Sequence, residues 1–330
     1  MAPRARRLAA YGAAGALGAA GVAYGISRAY ARRRRPTPAS DPDLAVPDDV
    51  THRVLAMRDG GGSHMVERGE GPAIVLLHGA SLRADAWSYQ LRDLASSHRV
   101  IALDLRGHGR STAGDEGVTI SAMADDLAEV LVGLDLQRAV VAGHSLGGMV
   151  CLRAARRHPR LVGTRIGAIA LISTSGGVGL PMPSWNRLAG VVGRVAGASA
   201  GFLRPGRSAV PSGDIGYLAS RLGFGRDARP AEVAATLRML RATEPAVFMG
   251  LVGEVLSFEE RDTYPGVEVP VVVAVGTNDR LTPPAFSRRL AASFEHARLE
   301  EYPGAGHMLM YERREQVDDL LDALSARAAG

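Results

Sequence analysis

The pentapeptide Gly143-His144-Ser145-Leu146-Gly147 sets one serine between small residues, directly after an apolar run and directly before a helical one. A serine hydroxyl attacks a carbonyl only when a base takes its proton. A G-x-S-x-G turn between strand and helix supplies part of the geometry, because a sharp, strained reversal lifts the serine oxygen clear of the main chain. Glycines are needed where a side chain would collide with the returning chain. Ser145 is therefore the expected nucleophile.

Two later loops carry its partners. Gly276-Thr277-Asn278-Asp279-Arg280 follows a strongly apolar run, and Gly304-Ala305-Gly306-His307-Met308 follows a weaker one. Loops leaving neighbouring parallel strands at their carboxyl ends converge over the sheet, so three distant residues meet there. His307 is expected to accept the serine proton and later pass it to the leaving group. Asp279 is expected to hold the imidazole in the needed tautomer and stabilise its cation. The plainer readings are a turn-forming Asp279 and a core or helix-capping His307.

An acyl transition state also carries negative charge on the carbonyl oxygen, and preorganised amides stabilise it by several kcal/mol. His78-Gly79-Ala80 ends another apolar run, which assigns those donors to the main chain of Ala80 and Leu146. His78, Gly79, His144, Trp185 and Met308 are placed around the substrate. His78 also reads as a structural loop residue, and His144 as a residue that packs or bonds the turn. This chemistry needs no organic cofactor and no metal, and no metal-ligand spacing is present. The single Cys151 excludes an intrachain disulfide and reads as a small core residue, since no base stands beside it in the sequence.

The elements that must position these residues follow from the apolar pattern. Ala73–Leu77, Val100–Asp104, Ala139–Ala142, Ile166–Ile172 and Val269–Val275 are near-continuous apolar runs, as strands buried on both faces require. Arg53–Met57 and His64–Arg68 flank a glycine turn and predict an antiparallel hairpin at the sheet edge, and Arg298–Tyr302 predicts a weaker last strand. Helical spacing covers Asp85–Ser97, Ser121–Leu134 with Ser121 as N-cap, Leu146–His158, Pro284–Phe294 and Arg313–Ala326. The alternation predicts an α/β fold with a mostly parallel eight-stranded sheet flanked by helices. A stretch rich in Gly, Pro and Arg, residues 176–265, breaks it and reads as a helical cap. Met182, Trp185, Leu188, Phe202, Leu218, Phe248 and Met249 are its possible wall residues. The core is then 51–175 with 266–330.

Length and charge bound the partners. A chain of 330 residues with 46% hydrophobic content supports one large core with an insertion. The net charge of +5 includes eight Arg and no acid within residues 1–40, so +5 less 8 leaves −3 on the remainder. A nucleic-acid binder has no basic face to use here. The substrate is expected to be a small molecule.

Leu8–Ile26 is 19 residues without a charge, bracketed by Arg on both sides, and just long enough to span a bilayer. Eight Ala and five Gly make it weakly apolar, while Tyr11, Tyr24 and the Gly21/Gly25 spacing suit a membrane helix. Three readings compete for residues 1–35: an uncleaved anchor, a cleaved export signal and a basic leader. The charge bias leans towards a cytoplasmic catalytic domain with an anchor, and export is the alternative. Residues 36–50 read as a Pro-rich linker.

With these motifs in view, residues 51 to 328 resemble the α/β-hydrolase superfamily. The chain order serine, acid, histidine is the order that fold uses. Asp104-Leu105-Arg106-Gly107-His108-Gly109-Arg110-Ser111 is similar to the D-x-R-G-x-G-x-S loop of its epoxide hydrolase, dehalogenase and esterase-like branches. The resemblance implies a structural role for that loop and a cap between the sixth and seventh strands. It makes epoxide hydrolase and haloalkane dehalogenase activity unexpected, because those enzymes use an Asp where this chain has Ser145. The first expectation is hydrolysis of a carboxylic ester of a small to medium apolar substrate, with thioesters and lactones open to the same trio. Carbon-carbon bond hydrolysis, cofactor-free perhydrolase or haloperoxidase chemistry, a non-catalytic receptor and a membrane scaffold are the alternatives.

Overall fold

The computed structural model describes residues 41–177, 208–260 and 262–329. Eight strands form one sheet: β1 Thr51–Ala56, β2 Gly62–Arg68, β3 Ala73–Leu77, β4 Arg99–Leu103, β5 Ala139–His144, β6 Ile166–Ile172, β7 Val271–Gly276 and β8 Arg298–Tyr302. Their order is β1-β2-β4-β3-β5-β6-β7-β8, with β1 and β2 antiparallel to their neighbours and the rest parallel. The described helices are α1 Ser88–Asp93, α2 Ile120–Gly133, α3 Leu146–Arg157, α4 Gly213–Arg221, α5 Pro230–Ala242, α6 Pro245–Ser257, α7 Pro284–Ala291, α8 Leu309–Glu312 and α9 Arg314–Ala329.

Every residue of β3, β5, β6 and β7 is buried, and alternate residues serve opposite faces. Ile74, Leu76, Val140 and Ala142 join one apolar cluster with Leu320, Leu321 and Leu324 of α9. Val75, Leu77, Ala139 and Val141 join the other, with residues of α2 and α3. Each fully buried Val, Leu or Ile contributes about 1.5–3 kcal/mol of transfer free energy, so the two layers hold the sheet between helices.

Several boundaries differ from expectation for local reasons. The N-cap of α2 is Thr119, not Ser121: its side chain accepts the Ala122 amide at 3.1 Å. The helix expected over Asp85–Ser97 is broken into a 3₁₀ turn at Ala84–Trp87, then α1, then a 3₁₀ turn at Leu94–Ser96. Residues 41–50 are not a free linker. Asp41, Asp43 and Asp49 are paired with Arg229, Arg92 and Arg68, while Leu44, Val46 and Val50 pack on the core.

The loop Asp104–Ser111 is built around two charges. Asp104 accepts from Ala84 N–H at 2.8 Å and Arg110 N–H at 2.9 Å, and bonds the His64 ring at 2.7 Å. Arg106 is buried between Asp59 and Asp126. Among the described residues three helices, α4 to α6, lie between β6 and β7. Met182, Trp185, Leu188 and Phe202 lie outside the described residues, as does the segment 8–26. Among the described residues no helix is long and apolar enough to cross a membrane.

Candidate active site

Strand order determines which loops meet. β3 pairs in parallel with both β4 and β5, so the chain changes direction across the sheet at β3, the place where open α/β sheets form a crevice. The register Leu77↔Gly143 sets the loop after β3 beside the turn after β5. On the other side, Gly276↔Tyr302 sets the loop after β7 beside the loop after β8. These last two are laced together: Thr277 and Asn278 amides donate to the carbonyls of Tyr302 and Ala305 at 3.0 and 2.8 Å.

Ser145 sits at φ +52°, ψ −114°, a strained conformation for a residue with a side chain, at the entry to α3. The turn tolerates no side chain at its flanks. A Cβ on Gly143 would lie 2.3 Å from the Gly147 carbonyl oxygen, and one on Gly147 would lie 2.4 Å from that of Leu77. Thr174 Oγ1 and the Gly148 amide both donate to the Ser145 carbonyl, which fixes the turn from two sides.

His307 Nδ1 donates to Asp279 Oδ2 at 2.9 Å, and the Asp279 side chain is 0% exposed. Its other oxygen accepts the amides of Leu281 and Thr282 at 2.8 and 2.9 Å, and Thr282 Oγ1 donates to Oδ2 at 2.8 Å. Burial works to raise this carboxyl's pKa, but the His307 ring and the Thr282 donors together hold it below the usual carboxylate value. Asp279 is thus an ionised group facing one nitrogen of His307. The other nitrogen, Nε2, has no partner among the described residues, and neither has the Ser145 hydroxyl.

The two halves meet at His144. Its Nε2 donates to the main-chain carbonyl of His307 at 2.9 Å, and the two rings lie 4.8 Å apart. Burial pushes its pKa down to about 3, so the ring is neutral and its tautomer is set by that bond. The residue beside Ser145 therefore fixes the histidine loop.

The amides of Ala80 and Leu146 have no acceptor among the described residues, while those of Ser81, Leu82, Ser145 and Gly147 are committed. Ser81 N–H donates to His108 Nε2 at 3.0 Å, Leu82 N–H to Gly79 O at 3.1 Å, and Gly147 N–H to His78 O at 3.1 Å. Gly79 packs so closely that an added Cβ would stand 3.2 Å from the Ser145 Cβ.

Three of the expected substrate contacts are buried. His78 is fully buried: Nδ1 donates to Gly79 O at 2.8 Å and Nε2 accepts from Leu105 N–H at 3.0 Å, so it clamps two loops. Burial, then the neighbouring His108, lower its pKa to about 3. His144 is 1% exposed and bonded as described, and Met308 is 3% exposed within the core. Trp185 lies outside the described residues. Cys151 is buried in α3, and burial pushes its thiol up to about 12.

Two residues went unread in the sequence. Thr282 stands three positions after Asp279, the spacing of a turn in which an Asp side chain binds the main chain ahead of it. Glu312 has no such signal. Its carboxylate accepts the amides of Gly306 at 3.0 Å and Met308 at 3.3 Å, on both sides of His307, and that of Gly225 at 2.6 Å. Among the described residues no group of His, Cys, Asp and Glu is arranged to hold a metal ion.

Comparison with known proteins finds the same fold. A family model described as the alpha/beta hydrolase fold matches residues 72–314. The chain is 27% identical over 276 residues to the AB hydrolase superfamily protein YisY of Bacillus subtilis, covering 78% of this chain and 92% of that one. Among solved structures it is similar to a thermophilic esterase from Thermogutta terrifontis, with a TM-score of 0.69, 23% identity, and 84% and 99% of the two chains covered. It is also similar to an enol-lactonase from Burkholderia xenovorans, with a TM-score of 0.64, 25% identity, and 82% and 99% covered. A parallel sheet of this order, with a strained serine turn after β5 and an Asp–His pair after β7 and β8, places the chain in the α/β-hydrolase family of enzymes.

Proposed function

We propose that this enzyme is a serine hydrolase of carboxylic esters, with lactones and thioesters as chemically equivalent substrates, acting through an acyl intermediate on Ser145. The observation that carries this reading is the bond between His307 Nδ1 and the sealed carboxylate of Asp279, on a histidine loop held by the neighbour of Ser145. The similarity to an enol-lactonase adds support for the ester and lactone class.

The chemistry follows from the unused groups. As Ser145 Oγ adds to the substrate carbonyl carbon, its proton passes to His307 Nε2, and Asp279 stabilises the resulting imidazolium. The carbonyl oxygen becomes an anion that accepts the free amides of Ala80 and Leu146. Collapse of this intermediate breaks the bond to the leaving alcohol, which takes the proton from His307. Water then gives a proton to His307 and adds to the acyl carbon, and Ser145 leaves with its proton restored. Catalytic hydrogen bonds lengthen in the free enzyme, which accounts for a serine hydroxyl without a partner. Residues 176–265, between β6 and β7, serve in this reading as the cap that limits acyl size.

Labelling with a fluorophosphonate probe tests the proposal, together with an ester panel of graded chain length. Wild type should label and turn over, and Ser145→Ala should do neither. Probe labelling that survives Ser145→Ala would refute the assignment.

A further inference from the structure

The acid loop has an outer side. Between the end of α4 and residues 277–280 lies a groove of about 830 Å³, walled by Leu218, Arg221, Leu222, Arg226, Thr277 and Arg280. That volume is in the range of small-molecule sites, about 300–1,000 Å³.

Its wall sets three guanidinium groups, those of Arg221, Arg226 and Arg280, against the single carboxylate of Asp279. Arg221 donates to the main-chain carbonyls of Phe224 and Arg226, which positions the guanidinium and leaves its charge uncompensated. Arg226 and Arg280 are exposed and have no carboxylate partner among the described residues. The one acid in the wall, Asp279, has a side chain with 0% exposure, and its oxygens are occupied by Leu281, Thr282 and His307. Leu222 and the adjoining Leu281 are 57% and 45% exposed, in a protein that buries most of its large aliphatic side chains. The floor is rigid, because Gly223 O accepts the His307 amide at 2.8 Å and Gly304 O accepts the Arg226 amide at 3.1 Å.

Guanidinium groups beside exposed leucines complement a molecule with a planar anionic end and an apolar tail. We propose that this groove binds a medium-chain carboxylate, the class of product released when an ester with an apolar acyl group is hydrolysed. The ligand class rests on the serine-hydrolase reading, and the groove itself does not. A carboxylate held there lies against the main chain of the loop that carries Asp279, outside the reacting centre.

The test reads binding without turnover. Full-length Ser145→Ala protein is titrated by calorimetry with octanoate, acetate, octanol and inorganic phosphate. Octanoate should bind about tenfold or more tighter than the other three, and Arg226→Gln with Arg280→Gln should weaken it about tenfold. Octanol or phosphate binding as tightly as octanoate, or no loss in the double variant, overturns the proposal. Probe labelling of the wild type judges the serine chemistry separately, so failure of one does not imply failure of the other.

Discussion

The main-chain carbonyl of His307 accepts a hydrogen bond from Nε2 of His144, 2.9 Å away, which ties the histidine loop to the residue preceding Ser145. The ring donates through Nε2 whether or not Nδ1 carries a proton, but burial holds it neutral. With the folded pKa near 3 and the ordinary value at 6.5, the unfolded chain binds a proton first as pH falls. Stability is therefore fully present above about pH 6.5 and declines by about 1.4 kcal/mol per pH unit below it, for this one group. His144→Gln, which cannot titrate there, should show a shallower fall in melting temperature between pH 6.5 and 4.5. Parallel slopes for the two proteins would refute the linkage.

Asp279→Asn keeps the shape of the acid loop and removes its charge. An amide favours the wrong imidazole tautomer and no longer stabilises the cation, so kcat on a nitrophenyl ester should fall about 10³- to 10⁴-fold with little change in KM. Thr282→Val removes one neutral donor from the same carboxylate and should cost only about 2- to 10-fold in kcat. Steady-state kinetics on both variants checks the ranking.

Glu312 acts on the site through the loop it holds. Glu312→Ala leaves the amides of Gly225, Gly306 and Met308 without their acceptor, a loss of about 1–3 kcal/mol in stability. Because His307 lies between two of those amides, kcat should drop while KM changes little, and Glu312→Gln should recover part of both. Urea unfolding alongside kinetics would reveal a purely structural role as a stability loss with unchanged kcat.

Gly147→Ala drives a Cβ to 2.4 Å from the Leu77 carbonyl oxygen, an atom of a central strand with no room to yield. The substitution should destabilise the fold by about 3 kcal/mol or more and abolish probe labelling. A variant with wild-type melting temperature would show that the turn is looser than its geometry.

Glu232, on α5, carries the opposite pH dependence. Burial raises its pKa from 4.5 to about 7, so the folded state favours the protonated acid. Its stabilising contribution is present below about pH 4.5 and is lost as pH rises through 7. Glu232→Gln should melt higher than wild type at pH 8.5, with the gap closing towards pH 4.5. A gap that does not vary with pH would exclude the linkage.

The sheet was legible wherever apolar runs were unbroken. Ala73–Leu77 and Ile166–Ile172 form strands with the expected limits, and so does Arg298–Tyr302, whose sequence is mostly polar. β5 runs on to His144, past the last apolar residue, because its neighbours β3 and β6 continue to pair with it. The helix expected from Asp85 is a 3₁₀ turn, then α1, then a second 3₁₀ turn, and its start is held by a partner 20 residues away, the Asp104 carboxylate that takes the Ala84 amide. At the site, residue type and loop position marked Ser145, Asp279 and His307, since both follow from chemistry and the sheet's polarity. The roles of His78, His144 and Glu312 depend on which amides and carbonyls fold against them, and that is a property of tertiary contacts with no local pattern.

The chain's lone thiol, Cys151, is sealed inside α3 with its ionisation pushed up to about 12, so maleimides and disulfide reagents find almost no thiolate to attack. A cysteine introduced at exposed Leu222 or Leu281 would therefore take a fluorophore or spin label alone, and would report on the acid-loop rim without first removing a native sulfur.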